Sequence, residues 1–305
     1  MSDYKKGVFY TALAYVVWGL LPMYWKWVET VPALEILAHR IIWSFLFVIF
    51  LLTVLIRRAG LMKQVQAVFT DRRQLISVGL ASVFISLNWG TYIFAVNSHQ
   101  IVEASLGYYI NPLVAVMLGM IVLKERLTSA QWLSFVLAGI GVTYMTISYG
   151  QVPWIAIVLA FSFGLYGLAK KLTKLDSLLG VSFETLFVMP ISLFYIFTVQ
   201  ANGSGSFING GLSTTLLLIG AGVVTAMPLL WFGIGAQKIP LSMVGFLQYI
   251  APTLQLTIGV LLYSEPFTKT DLISFSFIWI ALTIFTLSKM KLLAKRQVKE
   301  KTVSM

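Results

Sequence analysis

The sequence predicts an all-α membrane protein with ten transmembrane helices, arranged as two inverted repeats of five. The chain of 305 residues is 58% hydrophobic and only 11% charged, whereas roughly a quarter of the residues in a soluble domain are charged. Apolar windows of about 20 residues, long enough to cross about 30 Å of hydrocarbon, recur along nearly its whole length. A short motif in the first half also returns in the second half.

Ten apolar windows are separated by polar or turn-forming segments, and each window is one predicted span. The first window is too long and too rich in Trp and Pro for a cleavable signal peptide, so we count it as a span. The predicted spans cover residues 7–27, 33–56, 75–97, 101–123, 129–148, 152–170, 179–200, 213–237, 241–262 and 269–288.

The internal repeat relates the fourth span to the ninth. Tyr109-Ile110-x-Pro112 returns as Tyr249-Ile250-x-Pro252, a shift of 140 residues (249 − 109 = 140), and the same shift aligns Glu125 with Glu265. Two related halves inverted across a bilayer are the construction of many secondary transporters.

An odd number of spans in each half makes the second half enter the membrane from the opposite side. Equivalent helices then run antiparallel. We therefore predict a first repeat over residues 1–148, a second, inverted repeat over 149–288, and a basic tail over 289–305.

The net charge of +11 follows the predicted topology. Nineteen of the 22 Lys and Arg residues fall on the side of the N-terminus, Lys26 and Lys269 fall opposite, and Arg40 lies within a span. This asymmetry is the positive-inside rule, and it predicts that both termini lie in the cytoplasm. The basic residues therefore point to anionic lipid rather than to a nucleic-acid partner.

Several chemistries are excluded by what the sequence lacks. The absence of cysteine removes disulfides, thiolate metal sites and thiol catalysis. There is no P-loop and no His-Glu-x-x-His motif, and all four aspartates fall in loops or at span ends. We predict no enzyme activity, no cofactor and no metal site.

One cluster of charged residues lies inside the apolar segments. Glu35 and His39 are four residues apart and share a helical face, while Arg40 is turned by about 100° from His39. An Arg within a span is costly unless it faces protein or water. We predict an outward vestibule in which Arg40 meets Glu103 or Glu35. The cluster either fixes helix packing or serves substrate recognition or proton coupling. His39 is the leading coupling candidate, because histidine titrates near neutrality.

Uncharged polar and aromatic residues lie nearer the predicted midplane. Amides and phenols can hold a zwitterionic or moderately polar solute without a large desolvation cost. The predicted substrate-binding residues are Asn88, Trp89, Tyr109, Asn111, Gln248 and Tyr249. Pro112 and Pro252 are predicted hinges, because a proline removes a backbone hydrogen bond and kinks its helix.

Three segments resemble a known family: Glu35-Ile-Leu-Ala-His-Arg-Ile-Ile-Trp-Ser44, Glu103-Ala-Ser-Leu-Gly-Tyr-Tyr-Ile-Asn-Pro112 and Gln248-Tyr-Ile-Ala-Pro-Thr253. They are similar to RarD proteins of the EamA family, in the drug/metabolite transporter superfamily. The resemblance covers about residues 5 to 290. It implies a ten-helix inner-membrane carrier with inverted repeats and a central cavity, whose relatives export amino acids, other metabolites or drugs.

These observations predict a secondary carrier that moves a small organic solute outward by alternating access. Protons are a candidate coupling ion. Import of the same solute class and a non-transporting scaffold or sensor remain open alternatives, whereas a channel would need a filter or charge rings that the sequence lacks. The solute, the coupling ion and the oligomeric state are not determined by the sequence.

Overall fold

A computed structural model describes residues 2–55, 65–66, 68–97, 101–150, 154–173, 175–262 and 267–303. The side chains of residues 55, 93, 96, 97, 101–106, 149 and 259, and of the residues from 289 onward, lie outside this description. The described residues form helices and contain no strand, which confirms the predicted all-α class. The helices are α1 (Asp3–Lys26), α2 (Ala33–Leu55), α3 (Arg72–Asn97), α4 (Ile101–Ile121), α5 (Ser129–Tyr149), α6 (Trp154–Leu172), α7 (Ser177–Ala201), α8 (Ser206–Asn209), α9 (Gly211–Lys238), α10 (Leu241–Gln248), α11 (Ile250–Leu262) and α12 (Lys269–Val303).

The helices have the length and apolarity that a bilayer requires. Within the described part of the chain, nine helical segments are long and apolar enough to cross it, with α10 and α11 counted together. A shorter apolar stretch, Gly107–Ile121, belongs to α4. Large apolar side chains on the outside, such as Phe194 and Phe197, are more than two-thirds exposed. Such a surface is suited to lipid and confirms a multi-pass membrane protein.

Polar residues just before the helices set where two of the spans begin. Thr128 forms a capping box with Gln131 at the start of α5, in which each side chain accepts a hydrogen bond from the other residue's backbone. Asp176 starts α7 by accepting a hydrogen bond from the backbone N–H of Leu178 at 2.9 Å.

Equivalent helices of the two halves make equivalent contacts, and most contacts join a helix of one half to a helix of the other. α1 packs on α9 just as α6 packs on α3, and α1 packs on α10 and α11 as α6 packs on α4. The equivalent pairs α2 with α7, α4 with α10, and α5 with α12 also touch. One large apolar cluster contains side chains from both halves, so the two halves share a core.

Glycines allow the closest of these crossings. A Cβ on Gly222 of α9 would collide with the backbone and Cβ of Trp43 on α2. The neighbouring Ser44 hydroxyl donates a hydrogen bond to the Gly222 carbonyl at 2.9 Å. Without a side chain at Gly222, the two backbones come close enough for this bond to form.

The two repeat-matched prolines have different effects on their helices. α4 runs continuously through Pro112, whereas the ninth span is divided at Tyr249, three residues before Pro252. There the Tyr249 N–H bonds to the Phe246 carbonyl, a tighter turn than an α-helix makes. The two spans meet where Gly245 lies against the Pro112 carbonyl.

Candidate functional site

A cavity of about 240 Å³ lies between the two halves. The first half contributes α1 to α4, and the second contributes α6 and α9 to α11. The lining residues are Tyr15, Trp18, Leu21, Pro22, Trp25, Arg40, Ile85, Asn88, Trp89, Tyr92, Tyr108, Asn111, Phe163, Thr225, Leu229, Gln248, Ala251, Pro252 and Gln255. The lining residues of α1 lie in its later half, and Arg40 lies in the earlier half of α2. The cavity is therefore in the middle of the bundle and displaced toward the side opposite the N-terminus.

Arg40 is the charged side chain of this cavity among the described residues. Its Nε donates a hydrogen bond to the Thr225 hydroxyl at 3.0 Å. The guanidinium carbon lies 4.7 Å from the centre of the Trp25 ring and 5.8 Å from that of Trp89, which are cation–π distances. One hydrogen bond and two aromatic rings thus hold the guanidinium at the cavity wall.

Four amide side chains also belong to the wall: Asn88, Asn111, Gln248 and Gln255. Asn88 Nδ2 donates to the Leu159 carbonyl at 2.9 Å and to the Ser162 hydroxyl at 3.0 Å, which ties α3 to α6. Gln255 Nε2 donates to the Trp18 carbonyl at 3.2 Å, a carbonyl that loses its helical partner because Pro22 has no N–H. Asn111 Oδ1 is buried and has no hydrogen-bond partner in the described part of the chain.

Two of the predicted substrate-binding residues lie elsewhere. Asn88, Trp89, Asn111 and Gln248 line the cavity, but Tyr109 and Tyr249 do not. Both tyrosines belong to an apolar cluster with α5 and α12, where Tyr109 meets the edge of Phe275 at 5.0 Å. The structure therefore places these two tyrosines away from the cavity wall. Consecutive helical residues point about 100° apart, and this separation puts Tyr108 and Gln248 on the wall in place of Tyr109 and Tyr249.

Glu35 is separated from Arg40, which corrects one of the two predicted pairings. Its Oε1 accepts hydrogen bonds from the backbone N–H groups of Ser206 at 2.7 Å and Phe207 at 3.2 Å, at the start of α8. Positions 35 and 40 are about 140° apart around the helix, so the carboxylate and the guanidinium face different neighbours. The other predicted partner, Glu103, has its side chain outside the described part of the chain.

His39 stays with Glu35 rather than joining the cavity wall. Its Nε2 lies 4.0 Å from Glu35 Oε1, and its ring stacks on Phe207 with 4.7 Å between centres. Trp43 Nε1 donates to His39 Nδ1 at 3.3 Å. Glu35 and His39 thus form a buried polar group that joins α2 to α8.

A second buried ion pair was missed by the sequence analysis. Lys170 Nζ lies 2.7 Å from Glu184 Oε1, and the two side chains are 1% and 3% exposed. The Tyr166 hydroxyl donates to Glu184 Oε2 at 3.1 Å. Lys170 had been counted among the basic residues of the cytoplasmic side. Glu184 was the sequence signal that could have indicated this pair, because a carboxylate within an apolar span requires a partner.

Polar contacts between the halves close the end of the bundle nearest the N-terminus. Glu125 accepts hydrogen bonds from the backbone N–H groups of Leu241 at 2.6 Å and Ser242 at 2.9 Å, at the start of α10. A carboxylate there is favoured by the helix dipole. Lys238 also pairs with Asp3 at 3.0 Å. These contacts join the two halves below the cavity.

Comparison with known proteins places the chain in a family. A model of the EamA-like transporter family matches residues 5–147. The "Uncharacterized transporter YojE" of Bacillus subtilis is 50% identical over 293 residues, covering 95% of this chain and 96% of that protein. "Protein RarD" of Salmonella typhi is 41% identical, with 93% and 95% covered, and that of Escherichia coli is 40% identical, with 93% and 94% covered. A solved crystal structure shares the fold, with a TM-score of 0.68 at 18% identity over 94% of this chain and 99% of that one. The chain therefore belongs to the RarD-type EamA transporters of the drug/metabolite transporter superfamily.

Proposed function

We propose that this protein is a secondary carrier that exports a small organic solute across the inner membrane by alternating access, with both termini in the cytoplasm. The observation that carries the proposal is the cavity between the halves, which is lined by both and offset toward the side opposite the N-terminus. Alternating access needs a site between the two halves that can open to each side of the membrane in turn.

The contacts at the N-terminal side supply the gate that this mechanism needs. In the conformation described, Glu125 holds the start of α10, and Asp3 holds Lys238 at the end of α9. Release of these contacts would let the halves separate at the cytoplasmic face. The solute would then enter from the cytoplasm and leave on the other side after the gate had closed again.

The buried group of Glu35 and His39 is the candidate for proton coupling. A change in the charge of either residue would alter how strongly α2 holds the start of α8. His39→Gln and Glu35→Gln should each change the pH dependence of transport. Transport with an unaltered pH profile in both variants removes this role for the pair.

Site-specific labelling tests the conformation and the topology. Because the chain has no cysteine, single-cysteine variants need no prior removal of native thiols. A membrane-impermeant maleimide added to spheroplasts should label Leu21→Cys on the cavity wall and the positive control Ser204→Cys in the loop after α7. Thr11→Cys, fully buried between α1 and α9, should resist labelling. Labelling of Ser204→Cys from the cytoplasmic side alone contradicts the topology.

Solute export is tested by comparing the external metabolites of cells that lack the protein with those of cells that produce it. A solute should accumulate outside only with the intact protein. Ala251→Trp, which fills the cavity, should abolish this accumulation. Ile147→Trp, on the lipid-facing side of α5, should retain it. A lack of difference between well-expressed Ala251→Trp and the intact protein contradicts carriage through this cavity.

A further inference from the structure

The cavity has a net positive charge among its described lining residues. Arg40 lines it, and no described carboxylate does. Glu35 is engaged by the start of α8, and Glu184 by Lys170. A cation within the span of the bilayer is costly unless an anion or water accompanies it, so the bound solute is the natural source of the missing negative charge.

The guanidinium retains donors for such a group. An arginine side chain carries five N–H donors, and Nε bonds to the Thr225 hydroxyl. The four N–H groups of the two terminal nitrogens have no protein acceptor among the described residues. They form the planar fork that binds a carboxylate through two parallel hydrogen bonds. Trp25 and Trp89 restrict the orientation of this fork.

The rest of the wall argues against a solute with a positive group. The rings of Trp25 and Trp89, which could attract an ammonium, already face Arg40. A solute cation would therefore meet a charge of the same sign.

The volume and the apolar wall limit the body of the solute. A cavity of about 150 Å³ holds a benzene ring, so 240 Å³ accommodates a ring-sized body with a short acidic group. Trp18 and Phe163 meet edge to face at 5.8 Å and provide an aromatic surface for that body. We propose that the cavity binds a small organic monoanion, with its carboxylate on Arg40 and its apolar body against Trp18 and Phe163.

This inference rests on the proposed function for its biological meaning, but it is tested by binding alone. Purified protein in detergent would be titrated with four solutes of similar shape: phenylacetate, phenylacetamide, 2-phenylethylamine and phenylalanine. Tryptophan fluorescence is a suitable signal, because Trp18, Trp25 and Trp89 line the cavity. Phenylacetate should bind about tenfold or more tighter than the amide, since charge-assisted hydrogen bonds exceed neutral ones. The amine and the zwitterion should bind more weakly than phenylacetate.

Variants at Arg40 assign the preference to the guanidinium. Arg40→Gln should bind phenylacetate no better than the amide, and Arg40→Lys should keep a reduced preference for the anion, because it keeps the charge without the planar fork. Unchanged amide binding and thermal unfolding in Arg40→Gln would show that the cavity is intact. Equal binding of anion and amide by the intact protein, tighter binding of phenylalanine, or no binding of any of the four solutes overturns the proposal. The labelling and export experiments do not depend on this result, so failure of the monoanion proposal is distinguishable from failure of carriage.

Discussion

The buried pair of Lys170 and Glu184 provides a quantitative test of how the second half is held together. Both side chains are almost fully buried, their charged atoms are 2.7 Å apart, and Tyr166 adds a hydrogen bond to the same carboxylate. Removal of one partner from a buried pair leaves an uncompensated charge and costs about 3–5 kcal/mol. Lys170→Met and Glu184→Leu should each lower the free energy of unfolding by this amount.

The double variant separates the ion pair from the other contacts of the two residues. Replacement of both charges by apolar groups of similar volume leaves no charge without a partner and is often nearly neutral. Lys170→Met with Glu184→Leu should therefore be more stable than either single variant. Tyr166→Phe, which removes one hydrogen bond to a charged acceptor, should cost about 1.5–3 kcal/mol.

Stability would be measured by unfolding purified protein in mixed micelles with increasing SDS, followed by circular dichroism. Glu29→Gln is a matched control, because the Glu29–Lys26 pair is also in close contact but is more than half exposed. The control should change stability by less than about 1 kcal/mol. The reasoning is refuted if the single variants cost no more than the control, or if the double variant costs the sum of the two single ones.

Three further predictions concern packing, the gate and the cavity wall. Gly222→Ala should lower the stability and expression of the folded protein, because the new Cβ collides with Trp43. Gly139→Ala, which has open space at that position, should leave the free energy of unfolding unchanged or raise it by up to about 1 kcal/mol. SDS unfolding measures both variants, and equal losses of stability contradict the packing argument. Glu125→Ala should weaken the proposed gate at the N-terminal end of the bundle by about 1–2 kcal/mol and raise maleimide labelling of Thr11→Cys in inside-out vesicles several-fold. An unchanged labelling rate would mean that Glu125 does not hold the gate. Asn88→Leu should lose both hydrogen bonds to α6 and lower the free energy of unfolding by about 1–3 kcal/mol. The same unfolding assay measures this loss, and an unchanged stability would mean that those bonds do not form.

Much of the fold follows from the sequence because its signals are long and redundant. Ten apolar windows, a charge asymmetry and a repeat all indicate the same arrangement. The helices begin and end within a few residues of the predicted spans, except that α12 continues past residue 288 to Val303. The division of the ninth span at Tyr249 was not predictable from the proline alone. Pro112 occupies the matching place in α4 without dividing it, so the difference depends on the packing around each helix.

The site was predicted less completely, because rotation about a helix axis decides which residues face a cavity. Arg40 and Asn111 were identified as polar groups in apolar segments, and they do line the cavity. Tyr109 and Tyr249 were predicted to bind substrate as phenols near the midplane, but their rings pack in an apolar cluster away from the cavity. The positive-inside rule describes on which side of the membrane basic residues accumulate. It does not predict that a single residue, Lys170, is buried because it pairs with the nearby carboxylate of Glu184.

The shared core also has a consequence for how the protein is made. Glu35 is fully buried, yet its backbone partner Ser206 lies 171 residues later. At about 5–20 residues per second, the ribosome needs about 9–34 s to supply it. Thr225, the hydrogen-bond partner of Arg40, arrives 185 residues later. The early spans must therefore stay in the membrane with polar groups unmatched until the second half has been translated, and synthesis that stops between the halves leaves a product exposed to quality control.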